Sequence, residues 1–196
     1  ESVWGEPIPV AVANGDQSTI RVSPDGVDGY VFVWEDKREE SSNIFAQRLL
    51  SDGTAAWGEY IEVYSDEDDE LSYVQNYPQV QADGMGNTII AWQDTRSSFD
   101  NTGIFAQKIN SSGEKIWTEE GVEVRASHVK ELTLRIDSDD NGGAYVIWTD
   151  LRNGEFPQVD IYAQHLNSDG TFQWGDDGLA ICTSPNEQNS PLIKKN

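Results

Sequence analysis

Thr88-Ile89-Ile90-Ala91-Trp92-Gln93-Asp94-Thr95-Arg96 is the stretch on which the reading of this chain turns. Its first seven residues form a short run of β-branched, aromatic and small apolar side chains, which predicts a strand. The run is apolar almost throughout, so the strand should be covered on both faces. Its end, W-x-D-x-R, returns as Trp34-Glu35-Asp36-Lys37-Arg38 and as Trp148-Thr149-Asp150-Leu151-Arg152. The three Trp are spaced 58 and 56 residues apart.

The repeat extends outward on both sides. The other four Trp, namely Trp4, Trp57, Trp117 and Trp174, fall in a second slot, each followed by a short apolar alternation. Between the slots stands I-[FY]-A-Q, at Ile44–Gln47, Ile104–Gln107 and Ile161–Gln164, and then a turn with Gly53, Gly113 or Gly170. All seven Trp therefore lie on one two-slot grid, the signature of a repeat architecture.

One unit reads as four strands. In the middle copy they are Pro78–Ala82, Thr88–Asp94, Gly103–Ile109 and a segment from Trp117 to Arg125, separated by Gly-, Asn-, Asp- and Ser-rich turns. No window keeps a helical apolar period. The expected architecture is all-β: three complete four-stranded antiparallel repeats of β-propeller blade type, with partial repeats at both ends. A stacked β-solenoid is the other repeat fold weighed, and its coils are usually shorter than these units. The expected division is 1–15 (partial blade), 16–67, 68–127 and 128–184 (complete blades), and 185–196 (start of a further blade). Trp4–Val12 would be a lone outer strand and Pro191–Lys195 a lone inner one, so further blades or another chain should complete the ring.

The composite W-x-D-x-R, I-[FY]-A-Q, G-x-x-x-W resembles the tandem β-propeller repeats of large secreted and cell-surface proteins of bacteria. That resemblance spans Trp4 to about Ile193. It implies blades, an extracellular or cell-surface setting, and a role in binding or adhesion, without implying a reaction. Ser168-Asp169-Gly170-Thr171-Phe172-Gln173-Trp174 also resembles the Asp-box of sialidase-like propellers, S-x-D-x-G-x-T-W. Here Asp and Gly are adjacent, so sialidase chemistry is not carried over.

Composition excludes several partners. The 196 residues include 35 Asp plus Glu against 13 Lys plus Arg, a formal net charge of -22. Nucleic acid and anionic membrane surfaces both need a cationic face, and no apolar run is long enough to insert as a spanning helix. The single Cys182 excludes an internal disulfide framework and a Cys-based zinc cage.

Residues that recur in every unit are first of all architectural. In each W-x-D-x-R the Trp, Asp and Arg alternate onto one strand face. Asp36/Arg38, Asp94/Arg96 and Asp150/Arg152 should be partly buried ion pairs joining units or capping a loop, rather than a ring of pore carboxylates. Gln47, Gln107 and Gln164 should bond backbone at a loop. The seven Trp are read as core, ahead of a sugar-stacking platform. Asp137, Asp139 and Asn141 begin a D-x-D-x-N-G pattern and are the calcium candidate, weighed against a plain hairpin turn; the distal Glu of an EF-hand loop is replaced by Trp148. The acidic run Asp66–Glu70 reads as a solvated loop. His165 aligns with Arg48 and Lys108 and is expected on an outward polar face, and His128 stands alone, so no Ser-His-Asp set or His pair is available. Cys182 is expected to be a small buried residue.

The leading functional expectation is a non-catalytic scaffold with a protein or glycan partner. The alternative is part of a carbohydrate-active propeller, either glycan-binding or hydrolytic, with carboxylates at non-repeated positions. Individuality between units is concentrated in Glu39–Asn43, Ser97–Thr102 and Asn153–Asp160 and in the acidic loop from Tyr64 to Tyr77, where binding specificity is expected.

Overall fold

A computed structural model describes residues 6–38, 41–64, 73–96, 102–126, 133–153 and 158–194. These residues carry twelve strands in three four-stranded antiparallel sheets and no helix. The first sheet holds β1 (Gln17–Pro24), β2 (Gly29–Asp36), β3 (Asn43–Leu50) and β4 (Ile61–Tyr64). The middle sheet holds β5 (Gln75–Ala82), β6 (Thr88–Asp94), β7 (Gly103–Ile109) and β8 (Val122–Arg125). The third holds β9 (Leu134–Ser138), β10 (Ala144–Asp150), β11 (Asp160–Leu166) and β12 (Leu179–Cys182). In each sheet the strands lie side by side in chain order.

Strand period decides how the sheets stack. Along β6, Ile90 and Trp92 enter a core shared with Val31, Val33 and Val63 of the first sheet. Ile89 and Ala91, on the opposite face, enter a core shared with Leu134, Val146 and Trp148 of the third. The alternation of side chains across a strand thus supplies one half of each of two cores. All seven residues of β6 are buried, as their continuous apolarity predicts. The first strands of the sheets are neighbours, with β5 lying against β1 on one side and β9 on the other.

Several boundaries differ from expectation. β5 begins at Gln75, earlier than Pro78, because a bulge between Asn76 and Gln79 lets pairing resume beyond it. Tyr77 takes left-handed backbone at this bulge, and Thr19 does the same at the matching bulge of β1 between Ser18 and Arg21, both with φ of 51°. The outer strand of the middle sheet is shorter than Trp117–Arg125 and covers only Val122–Arg125. Trp117 precedes it, and a turn at Gly121 (φ 77°) intervenes. A Cβ on Gly121 would lie 2.8 Å from the Ala106 carbonyl oxygen, so a side chain there would force β7 and the turn apart.

The flanking segments form no strand over their described residues, 6–12 and 191–194. A strand needs a hydrogen-bonded neighbour, and among the described residues neither segment is paired with one. Cys182 ends β12 half-buried instead of buried.

Candidate functional site

Two charged clasps recur, one at each end of the sheets. The first is built on W-x-D-x-R. Asp36, Asp94 and Asp150 end β2, β6 and β10, and each is buried. Oδ2 of each accepts the indole N–H of the Trp two residues earlier, at 3.0, 2.9 and 3.0 Å. Oδ1 accepts the backbone N–H of the Arg two residues later, at 3.0, 2.8 and 2.7 Å. The guanidinium folds back on the same carboxylate. It also lies over aromatic faces: Arg38 over Phe45 and Tyr60, Arg96 over Phe105 and Tyr64, Arg152 over Tyr162. The expected loop-capping ion pair is therefore present in all three sheets.

This clasp also joins sheets. Tyr64 ends β4 of the first sheet and stacks on Trp92 and Arg96 of the middle one. Arg125, at the matching position of β8, lies 3.5 Å from Asp150 of the third sheet. Gln47, Gln107 and Gln164 tie the third strand of each sheet to the loop that follows it: their amide N–H groups reach the carbonyls of Gly58, Thr118 and Gly175.

The second clasp lies at the opposite end, in the hairpins between the first two strands of each sheet. Oδ1 of Asp25, Asp83 and Asp139 accepts two backbone N–H groups of its own turn. Oδ2 takes a basic side chain from the third strand: Arg48 Nε at 2.8 Å, Lys108 Nζ at 2.9 Å, and His165 Nε2 at 2.8 Å. His165 is thus turned into the hairpin, stacked on Tyr145 with the Trp174 ring tilted beside it, not set on an outward polar face. Sequence reading missed this clasp. The available signal was that the aligned position always carries a base while the hairpin always carries an acid.

The calcium candidates belong to this second clasp. Asp139 holds the turn and His165. Asn141 is exposed and donates its side-chain N–H to the Asp139 carbonyl. Asp137 accepts from Gln81 of the middle sheet at 3.1 Å and from the Ser138 backbone. A cation at Asp139 would have to displace two backbone donors and an imidazole. Among the described residues no group of three or more His, Cys, Asp or Glu is placed to hold a metal. The acidic run 66–70 and His128 lie outside the described residues, as do parts of the three variable loops (39–40, 97–101, 154–157).

One carboxylate at the first end is not repeated. Glu35 stands where the other units have Gln93 and Thr149, and it is buried. It accepts the Tyr77 backbone N–H at 2.7 Å across the sheet-to-sheet junction, and the Ser18 hydroxyl at 3.2 Å. Nearby in register, Gln75 is fully buried, with neither end of its side-chain amide hydrogen-bonded among the described residues.

Burial opposes ionisation of Asp25, Asp36, Asp83, Asp139 and Asp150. The hydrogen bonds to each carboxylate outweigh it and hold all five below the ordinary Asp value. Unfolded Asp titrates near pH 3.9. On acidification the unfolded chain takes up these protons first, so their stabilisation is complete above about pH 5 and is lost as pH falls through the lower folded values. Repulsion among surplus surface acids works the other way, and salt screens it. In urea titrations at high salt, the midpoint should hold steady from about pH 7 to 5 and fall steeply below about pH 4. A midpoint that rose on acidification would show that the five carboxylates are not held in this way.

No protein-family model matches this chain, and no curated protein does. Among solved structures it is similar to the crystal structure of polysaccharide lyase Uly1, with a TM-score of 0.55 and 11% identity. The match covers 80% of this chain and 40% of that one, so the chain spans well under half the lyase's length. At this identity the likeness is one of fold.

Proposed function

We propose that the chain is a non-catalytic binding scaffold made of propeller-type blades, with a protein or glycan partner and an extracellular or cell-surface setting. One observation carries this reading: the charged side chains that recur in all three sheets are engaged in holding strand ends, hairpins and neighbouring sheets. What differs between units is the set of loops leaving the W-x-D-x-R end, and loops on one face of a repeat array commonly carry recognition. Exchanging Glu39–Asn43, Ser97–Thr102 and Asn153–Asp160 among the three units should change the binding profile on glycan and protein arrays while leaving the melting curve near that of the parent. An unchanged profile after all exchanges would overturn the assignment of specificity to these loops.

A carbohydrate-active reading is favoured by two observations, the fold likeness to a polysaccharide lyase and the buried, non-repeated Glu35. With a net charge of -22, neutral glycans fit this surface better than polyanionic ones. Turnover of a neutral polysaccharide that is abolished by Glu35→Gln, with the fold intact, would replace the scaffold reading.

A further inference from the structure

The two junctions inside the chain show what covers each face of a sheet, and the end sheets expose those same faces. In the middle and third sheets the first strand turns an apolar residue to the preceding sheet: Val80 and Ile136, which pair with Ile90 and Val146. The matching residue of the first sheet is Val22, which pairs with Phe32. Val80 is 8% exposed, Val22 55%. Tyr30, also on the first sheet, is exposed as well, whereas Thr88 and Ala144 at its position are buried.

The far side shows the converse. Val63 and Val124, on the outer strands of the first two sheets, are covered by the next sheet and are 0% and 1% exposed. Ile181 holds the same position in β12, set by the pairing of Cys182 with Ile161, and is 51% exposed beside the exposed Leu179.

A polar contact marks the same junctions. The indole N–H of Trp57 donates to the Ser111 carbonyl at 3.1 Å, and that of Trp117 to the Ser168 carbonyl at 3.2 Å. Each acceptor lies two residues before a left-handed Gly in the turn of the following sheet. The last Trp of this slot, Trp174, donates its indole N–H to nothing among the described residues. The matching turn residue of the first sheet, Ser51, lines a cleft of about 360 Å³ together with Tyr30.

We infer that the rear of the third sheet is a docking surface for the front of the first sheet of a second copy of this chain. Leu179 and Ile181 then cover Val22 and Tyr30, and Trp174 enters the cleft at Ser51, continuing the junction the chain already makes twice. The surfaces differ, so the contact is head-to-tail: two copies meet through two such contacts if the rotation closes, and longer rows form if it does not. Two chains of like charge repel, so the association strengthens as salt rises. This inference rests on the blade reading but not on its ligand. A monomeric chain would overturn it and leave the loop-exchange experiment untouched.

Sedimentation velocity on the 196-residue chain, on Val22→Asp and on Ile181→Asp tests it. The parent should sediment as a dimer or larger at tens of micromolar, and each variant alone as a monomer, since each has lost one half of every contact. Mixed in equal amounts, the two variants should regain a dimer, because the intact rear of one meets the intact front of the other. Both substitutions are at exposed positions, and matching circular dichroism would show that the fold is kept. Should either Asp variant unfold, Val22→Ser and Ile181→Ser are read in the same way. A monomeric parent, loss of association in only one variant, or a mixture that stays monomeric would each overturn the proposal.

Discussion

Asp94→Ala is expected to lower unfolding free energy by about 3–5 kcal/mol, the cost of removing one partner from a buried ion pair. Asp94 is fully buried and receives the Trp92 indole, the Arg96 backbone N–H and the Arg96 guanidinium. Removing it leaves the indole donor unpaired inside the core and strips Arg96 of its counter-charge. Arg96 keeps its contacts with Tyr64, Phe105 and the Glu120 carbonyl, so it cannot swing out to water without giving those up. Against a typical total of 5–15 kcal/mol this is a large fraction. Urea unfolding followed by Trp fluorescence measures it. Asp94→Asn, which keeps an acceptor for the indole, should fall between parent and Ala. The double variant Asp94→Ala/Arg96→Ala should cost less than the two single changes added together, because both remove the same interaction. A variant as stable as the parent that had lost ligand binding would make this carboxylate part of a binding site.

Lys108→Met is expected to cost about 3 kcal/mol, at the lower end of the range for a broken buried pair. Lys108 and Asp83 are both buried and lie 2.9 Å apart. The ammonium also donates to the Gly142 carbonyl of the third sheet at 2.7 Å, so its loss loosens a hairpin and a sheet junction together. The cost stays near the lower end because Asp83 keeps the Met85 and Asn87 backbone donors and the Asn87 side chain. Adding Asp83→Asn removes the uncompensated charge and should restore much of the loss. Thermal and urea unfolding of the single and double variants check this, and a double variant less stable than Lys108→Met would refute the pairing.

The contrast between these two clasps shows where sequence reading reaches its limit. Trp92 and Asp94 are alternate residues of β6, which strand geometry puts on one face, and Arg96 follows two residues later in the turn that leaves the strand. Their contact is local, so its spacing is constant and it recurs as a visible motif. Asp83 and Lys108 meet only after a hairpin closes and two strands pair in register. The intervening length is free to vary, and the base is Arg in one unit, Lys in the next and His in the third. Charge complementarity survives such exchange while a residue pattern does not, so this clasp left no motif. His165 was read from its alignment as a polar-face residue for the same reason: its partner is 26 positions away.

Sequence by itself determined the all-β class, the fourfold strand unit, the antiparallel order and the buried second strand, because period-two alternation, turn residues and recurring Trp act between near neighbours along the chain. Only the tertiary structure decided that Ile89 and Ile90 serve different cores, that Glu35 reaches Tyr77 across a junction, and that Val22 and Ile181 lie bare where Val80 and Val63 are covered. Those outcomes depend on which sheet stands beside which face. Sheet-against-sheet packing is non-directional apolar burial between segments distant in sequence, and no residue announces it to its own neighbours.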